Sequence, residues 1–122
     1  MSATCTKSWT AHADRRQIDK YIYTLFTPEG TRLVNERGWA DLYVCGIDTD
    51  VCVLKTAVDA FEHNFTPWIL KDACASHAGS QAHTAGLLVA GRFIGTNQII
   101  HTANLPESAG NQQLHLGDDV CD

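Results

Sequence analysis

Ala40-Asp-Leu-Tyr-Val-Cys-Gly-Ile47 is an almost unbroken apolar run, the pattern of a strand buried on both faces of a parallel sheet. Thr66-Pro-Trp-Ile-Leu70 repeats the pattern, with Pro67 at the strand's start, where a missing N–H is tolerated. After each run the hydrophobic period lengthens from that of a strand to that of a helix. Val51, Leu54, Val58 and Phe61 recur at intervals of three and four, with Asp50 as cap and His63-Asn64 as stop. A second helix is expected over residues 80–93, with Ala82, Ala85, Leu88, Val89 and Phe93 as its buried stripe. Gly86 and Gly91 weaken it by about 1 kcal/mol each relative to alanine where exposed, unless they allow close packing on the sheet. Gln98-Ile-Ile-His-Thr102 is the third strand. Strand, helix, strand, helix, strand in immediate succession requires right-handed crossovers, so the fold class is α/β with a parallel sheet.

Upstream, Ile18-Asp-Lys-Tyr-Ile-Tyr23 is a candidate for one more strand. Leu33-Val34, flanked by Arg32, Glu36 and Arg37, reads as a short helix leading to Gly38. Residues 103–122 show no periodicity and are rich in Gly, Asn, Gln and Asp, so residues 1–102 are read as the folded domain and 103–122 as an irregular C-terminal tail. At 122 residues there is room for one domain and not for two. A net charge of -5, with nine scattered basic residues, argues against a nucleic-acid or anionic-membrane surface. No apolar run approaches the roughly 20 residues that span a bilayer, and residues 1–10 carry no leader pattern. Five cysteines in irregular spacing, three of them in or beside apolar segments, fit a reducing cytoplasm better than a disulfide framework.

Ligands of open parallel sheets bind beyond the carboxyl ends of the strands. The turn after the best strand is Gly46-Ile-Asp-Thr-Asp-Val-Cys52. With Asp50 as cap, Cys52 falls in the first helical turn, where unpaired backbone N–H groups and the macrodipole favour an anion, and the thiolate is the nucleophilic form. The same N–H groups can hold an oxyanion when sulfur attacks a carbonyl, which is the strand-turn-helix logic of a nucleophile elbow. An inert buried thiol is the competing reading.

The segment Gly46-Ile-Asp-Thr-Asp-Val-Cys-Val-Leu-Lys-Thr-Ala-Val-Asp-Ala-Phe61, followed by Ile69-Leu-Lys-Asp-Ala-Cys-Ala-Ser-His77 and then His83, resembles the isochorismatase-like cysteine hydrolases, a superfamily that includes nicotinamidases and N-carbamoylsarcosine amidases. The resemblance runs from about Ile18 to Ile100. It implies a Rossmann-like, three-layer αβα fold and a triad of Cys, Lys and Asp. Cys52 matches the nucleophile, and Lys20 matches the triad lysine, whose ammonium would favour the thiolate and the developing oxyanion. It further implies a cis peptide bond between Ile47 and Asp48 that aims the Asp48 N–H, with that of Cys52, at the oxyanion. The Asp48 carboxylate is read either as a contact to substrate or a neighbouring group, or as a turn-forming residue. His77 is a candidate substrate-binding residue at a strand's carboxyl end. The activity implied is hydrolysis of a small-molecule amide or related C–N bond, with no cofactor and no metal. Cys74, His77 and His83 lack zinc-type spacing and are read as sheet-end, capping and helix-packing residues. Trp9, Trp39 and Trp68 are read as packing residues.

One part of the family pattern is missing. The triad aspartate belongs at the end of an apolar first strand, and no such strand precedes Lys20: Asp14 lies in polar Ala11-His-Ala-Asp-Arg-Arg16 and Asp19 adjoins the lysine. His12 with Asp14 is too little for the metal site of nicotinamidases. The expectation is an incomplete sheet lacking the first strands, in a truncated, split or degenerate hydrolase, with an inactive α/β module acting through association as the alternative. The edge near residues 42–47 would then be open and would pair with a second copy or with a partner supplying the missing strands.

Overall fold

A computed structural model describes residues 16–106 and the backbone of residues 113–116. Trp9, His12 and Asp14 lie outside the described residues. The elements are α1 (Pro28–Arg37), β1 (Asp41–Ile47), α2 (Leu54–Glu62), β2 (Thr66–Ala75), α3 (Ser80–Ile94), β3 (Ile99–Ile100) and β4 (Gln113–Leu116). The strands form one sheet in the order β3-β2-β1-β4, every pair parallel. The α/β class and the parallel sheet are therefore as the periodicity requires.

Alternation along β1 divides the core in two. Leu42 and Val44 join Ile69 of β2, Val53, Ala57 and Ala90 in a cluster built with the helices. Tyr43 and Cys45 join Leu70 on the other face, where Tyr43 stacks on Trp68 at 5.9 Å. The indole N–H of Trp68 donates to Asp41 Oδ1 at 3.1 Å, so this tryptophan packs and is also satisfied.

Local chemistry sets the ends of the elements. Helix α1 begins earlier than Leu33-Val34 suggests, because Pro28 opens it and the Thr27 hydroxyl accepts from the Gly30 N–H at 3.0 Å. Gly38, in the left-handed conformation (φ 65°), closes it. Helix α2 ends at His63 and Asn64, where a positive φ of 68° at Asn64 turns the chain into β2. Strand β2 runs past Leu70 to Ala75. Its register on β1 slips between the Val44↔Ile69 and Gly46↔Cys74 pairs, so extra β2 residues bulge out and the strand's end is re-aimed toward the end of β1.

Five expectations are corrected. Residues 18–23 are irregular, with bends from residue 21, and form no strand; Ile18 and Lys20 turn inward while Tyr21, Ile22 and Tyr23 all face solvent, which breaks the alternation a strand needs. Asp50 does not cap α2. Helical winding starts earlier, at Thr49, with Asp48 before it, and neither junction carries a side-chain cap. The stripe expected on α2 lies on its flank: Val53, Thr56, Ala57 and Ala60 are buried, and Phe61 is exposed. On α3 the buried residues are Gly86, Ala90, Gly91 and Ile94, while Leu88 is 70% and Phe93 53% exposed. The last correction concerns the tail, where Gln113–Leu116 forms a strand parallel to β1, pairing Tyr43↔Gln113 through Gly46↔Leu116. The edge expected to be open is occupied by this chain's own C-terminal segment.

Candidate functional site

The site is built where β1 and β2 end side by side. At the end of β1, Gly46 takes φ 118° and the Ile47–Asp48 peptide bond is cis. The chain then enters a wide turn, Thr49–Val53. The Asp48 carbonyl accepts from the N–H groups of both Val51 and Val53 at 3.1 Å, and the Leu54 N–H reaches back to the Thr49 carbonyl. Hydrogen bonds from residue i+5 to residue i widen the first turn, a local form found often at functional sites. Cys52 sits in that turn as a half-buried free thiol.

Lys20 reaches the same region from the irregular segment at residues 18–23. It is only 2% exposed. Its Nζ donates to the carbonyls of Ile22 and Tyr23, each at 2.9 Å, so the segment's own backbone solvates the buried ammonium. Burial pulls the Lys20 pKa below its ordinary value, and negative charge on Cys52 acts in the opposite direction. Lys20 and Cys52, 32 residues apart, are thus electrostatic neighbours.

Asp48 meets His77. One oxygen, Oδ1, accepts the His77 backbone N–H at 2.9 Å and lies 3.0 Å from its Nδ1. Because a carboxylate oxygen only accepts, Nδ1 carries the proton and Nε2 points away from the pair. The carboxylate is therefore engaged with a neighbouring group, and His77 stands at the rim with its ring largely exposed.

Two further contacts were not anticipated. Thr49 Oγ1 lies 2.6 Å from His83 Nδ1, and the Ser76 hydroxyl donates to Asp50 Oδ1 at 2.7 Å. Three successive turn residues, Asp48, Thr49 and Asp50, are each tied to the β2–α3 connection or the start of α3. Periodicity carries no trace of this. The signal that could have found it is topological, since the carboxyl ends of neighbouring parallel strands share one crevice.

Cys74 is a different kind of thiol. Burial, with Cys45 as the next cause, pushes it up to about 12. Its Sγ–H donates to the Leu70 carbonyl at 3.2 Å. Among the described residues no three His, Cys, Asp or Glu side chains converge as a metal site, and no helix is long and apolar enough to cross a membrane.

Comparison with known proteins agrees with the fold. An isochorismatase family protein of Bacillus subtilis is 36% identical over 74 residues, which is 56% of this chain and 40% of that protein. Isochorismatase domain-containing protein 2 of Xenopus laevis is 27% identical over 66 residues, 53% of this chain and 32% of that one. The chain thus spans less than half the length of these relatives. Among solved structures, the nicotinamidase/pyrazinamidase PncA from Bacillus subtilis superposes with a TM-score of 0.65 at 33% identity, covering 74% of this chain and 49% of that one. The pyrazinamidase/nicotinamidase from Streptococcus mutans gives 0.62 at 28% identity, over 68% and 45%. Residues 3–98, most of the chain, match the Isochorismatase domain: this chain belongs to the isochorismatase family, among the isochorismatase-like hydrolases.

Proposed function

We propose that the chain carries the nucleophile of a hydrolase acting on a small-molecule amide or a related C–N bond. The observation that carries this reading is Cys52 in a wide first turn beside a buried lysine. The thiolate sulfur attacks the carbonyl carbon, and the oxygen takes up negative charge opposite the N–H groups of Asp48 and Cys52. The C–N bond then breaks as the amine leaves with a proton taken from a water molecule, and the hydroxide that remains cleaves the thioester, returning the thiolate and releasing the acid. Lys20 holds negative charge on the sulfur before attack. His77, fixed through Nδ1 by Asp48, stands at the rim where a substrate would enter. The amide hydrolases among the structural neighbours support the reaction class, since two are described as nicotinamidase/pyrazinamidase.

Turnover of nicotinamide and pyrazinamide, followed by ammonia release, is the direct test, and Cys52→Ser is expected to abolish whatever turnover the parent shows. Thiol labelling tests the nucleophile without requiring turnover. Iodoacetamide at neutral pH is expected to modify Cys52 well before Cys74, which burial keeps protonated up to about pH 12, and before buried Cys45. Equal labelling of the three in the folded protein would remove Cys52 as the nucleophile.

Association with a second copy or a partner, whether or not the chain turns over substrate, is a second proposal. The open edge that first suggested it is covered by β4. Exposed apolar side chains support it instead: Phe61 on α2 and Leu88, Val89 and Phe93 on α3 all face solvent. Sedimentation equilibrium at micromolar concentration is expected to show species larger than the monomer, and Leu88→Lys with Phe93→Glu to return it to monomer. A parent that is monomeric throughout would end this proposal.

A further inference from the structure

We propose that His83 is a positioning residue for Cys52, acting through Thr49 on the wide turn that presents the thiol; the role rests on the reading of Cys52 as the nucleophile. Thr49 is 1% exposed and lies at the start of the turn, three residues before Cys52. Its hydroxyl meets His83 Nδ1 at 2.6 Å, and its carbonyl accepts the Leu54 N–H. One side chain therefore connects the first turn of α3 to a peptide unit whose orientation sets the width of the turn around Cys52.

The contact is part of a designed face of α3. Gly86, one turn beyond His83 on the same side of the helix, lies so close to the turn that a Cβ there would come within 2.8 Å of the Asp50 Cα and 2.9 Å of its N. Helix α3 thus lies directly on residues 49–50, and His83 adds a polar contact to it. Ser76 to Asp50 and His77 to Asp48 hold the neighbouring residues from the end of β2. On the reading of Cys52 as nucleophile the sulfur depends on its place in the turn and on its closeness to Lys20, so a small rotation of the turn disturbs both. His83 does not touch the reacting atoms and has no part in proton transfer.

The test reads the rate of iodoacetamide alkylation at each cysteine by mass spectrometry, with thermal melting as the check on folding. His83→Ala is expected to slow Cys52 about five- to tenfold while Cys45 and Cys74 stay protected, a local loss that partial unfolding would not give. Thr49→Val is expected to give the same loss, and the double variant no more than either single, because the two changes break one contact. His83→Asn, whose side-chain amide can reach the place of Nδ1, is expected to restore most of the rate. Folded His83→Ala and Thr49→Val proteins that keep Cys52 within about twofold of the parent rate, or losses that multiply in the double variant, would overturn the proposal. Should His83→Ala expose Cys45 and Cys74 by unfolding, Thr49→Val and His83→Asn decide by the same criterion. A parent in which Cys52 is no faster than the buried thiols would overturn the nucleophile reading, and the positioning role with it.

Discussion

Gly86→Ala is expected to lower stability by about 1–2 kcal/mol net, although the same change in an exposed helix would raise it. Alanine gains about 1 kcal/mol over glycine in a helix interior, and on propensity alone α3 should welcome it. The space forbids this. An added Cβ would lie 2.8 Å from the Asp50 Cα, 2.9 Å from its Cβ and 2.9 Å from its N, and two of those atoms are backbone that cannot rotate aside. Overpacking costs about 1–3 kcal/mol, with contact against backbone at the upper part of that range, about 2–3, and relief by moving α3 outward would break the Thr49–His83 contact and shift the turn that holds Cys52. The expected result is a melting temperature lower by roughly 4–10 °C together with slower alkylation of Cys52. Gly91→Ala is the control. Its Cβ would approach the Thr96 Cγ2 to 3.0 Å and Ile99 Cδ1 to 3.6 Å, and these are side-chain methyls that can give way, so propensity and crowding nearly cancel. Equal effects at the two glycines would show that the close approach at Gly86 carries no special weight.

The two glycines also explain why α3 was legible as a helix and illegible as a surface. Hydrophobic periodicity assumes that the inward stripe is the apolar one, and on α3 it selects Leu88, Val89 and Phe93. The inward side is instead Gly86, Ala90, Gly91 and Ile94, because the helix must approach the elbow and the β3 connection more closely than large side chains allow. Helix α2 shows the same shift: small Ala57 and Ala60 face the sheet while Phe61 does not. Strand β1 was legible almost to the residue because burial on both faces leaves only one way to read an unbroken apolar run. Strand β4 was not, since its four residues owe their conformation to the edge of β1 and to no pattern of their own. The site divides along the same line. The turn and its cysteine could be placed from local sequence, whereas Ser76 and His83 come to Asp50 and Thr49 only once β1 and β2 are set side by side.

Lys20→Met separates what a buried charge does for folding from what it does for chemistry: stability at neutral pH is expected to stay nearly constant while reactivity falls. Burial lowers the Lys20 pKa, so between its folded value and the ordinary value of about 10.5 the unfolded chain holds more protons than the folded one. In that window stability rises with pH. Below the folded value the penalty of a buried ammonium is present in full, offset by the two carbonyl hydrogen bonds at 2.9 Å and by negative charge on Cys52. Methionine fills a similar volume, removes the penalty and gives up those bonds. Because Ile22 and Tyr23 are exposed, water can replace the lost donor at their carbonyls, and the net change at neutral pH is expected to lie within about 1 kcal/mol of zero. The alkaline rise in stability should flatten in the variant. Reactivity should not be spared: the ammonium and the sulfur are electrostatic neighbours, and removing the positive charge takes away an attraction that favours the nucleophilic anion, so alkylation of Cys52 at neutral pH is expected to fall about tenfold. Urea melts across pH 7 to 10 and alkylation kinetics on the same preparations measure both quantities. A folded Lys20→Met protein whose Cys52 reacts at the parent rate would mean that the ammonium serves the irregular segment at residues 18–23 alone, and the sulfur's activation would then have to come entirely from the turn that His83 holds.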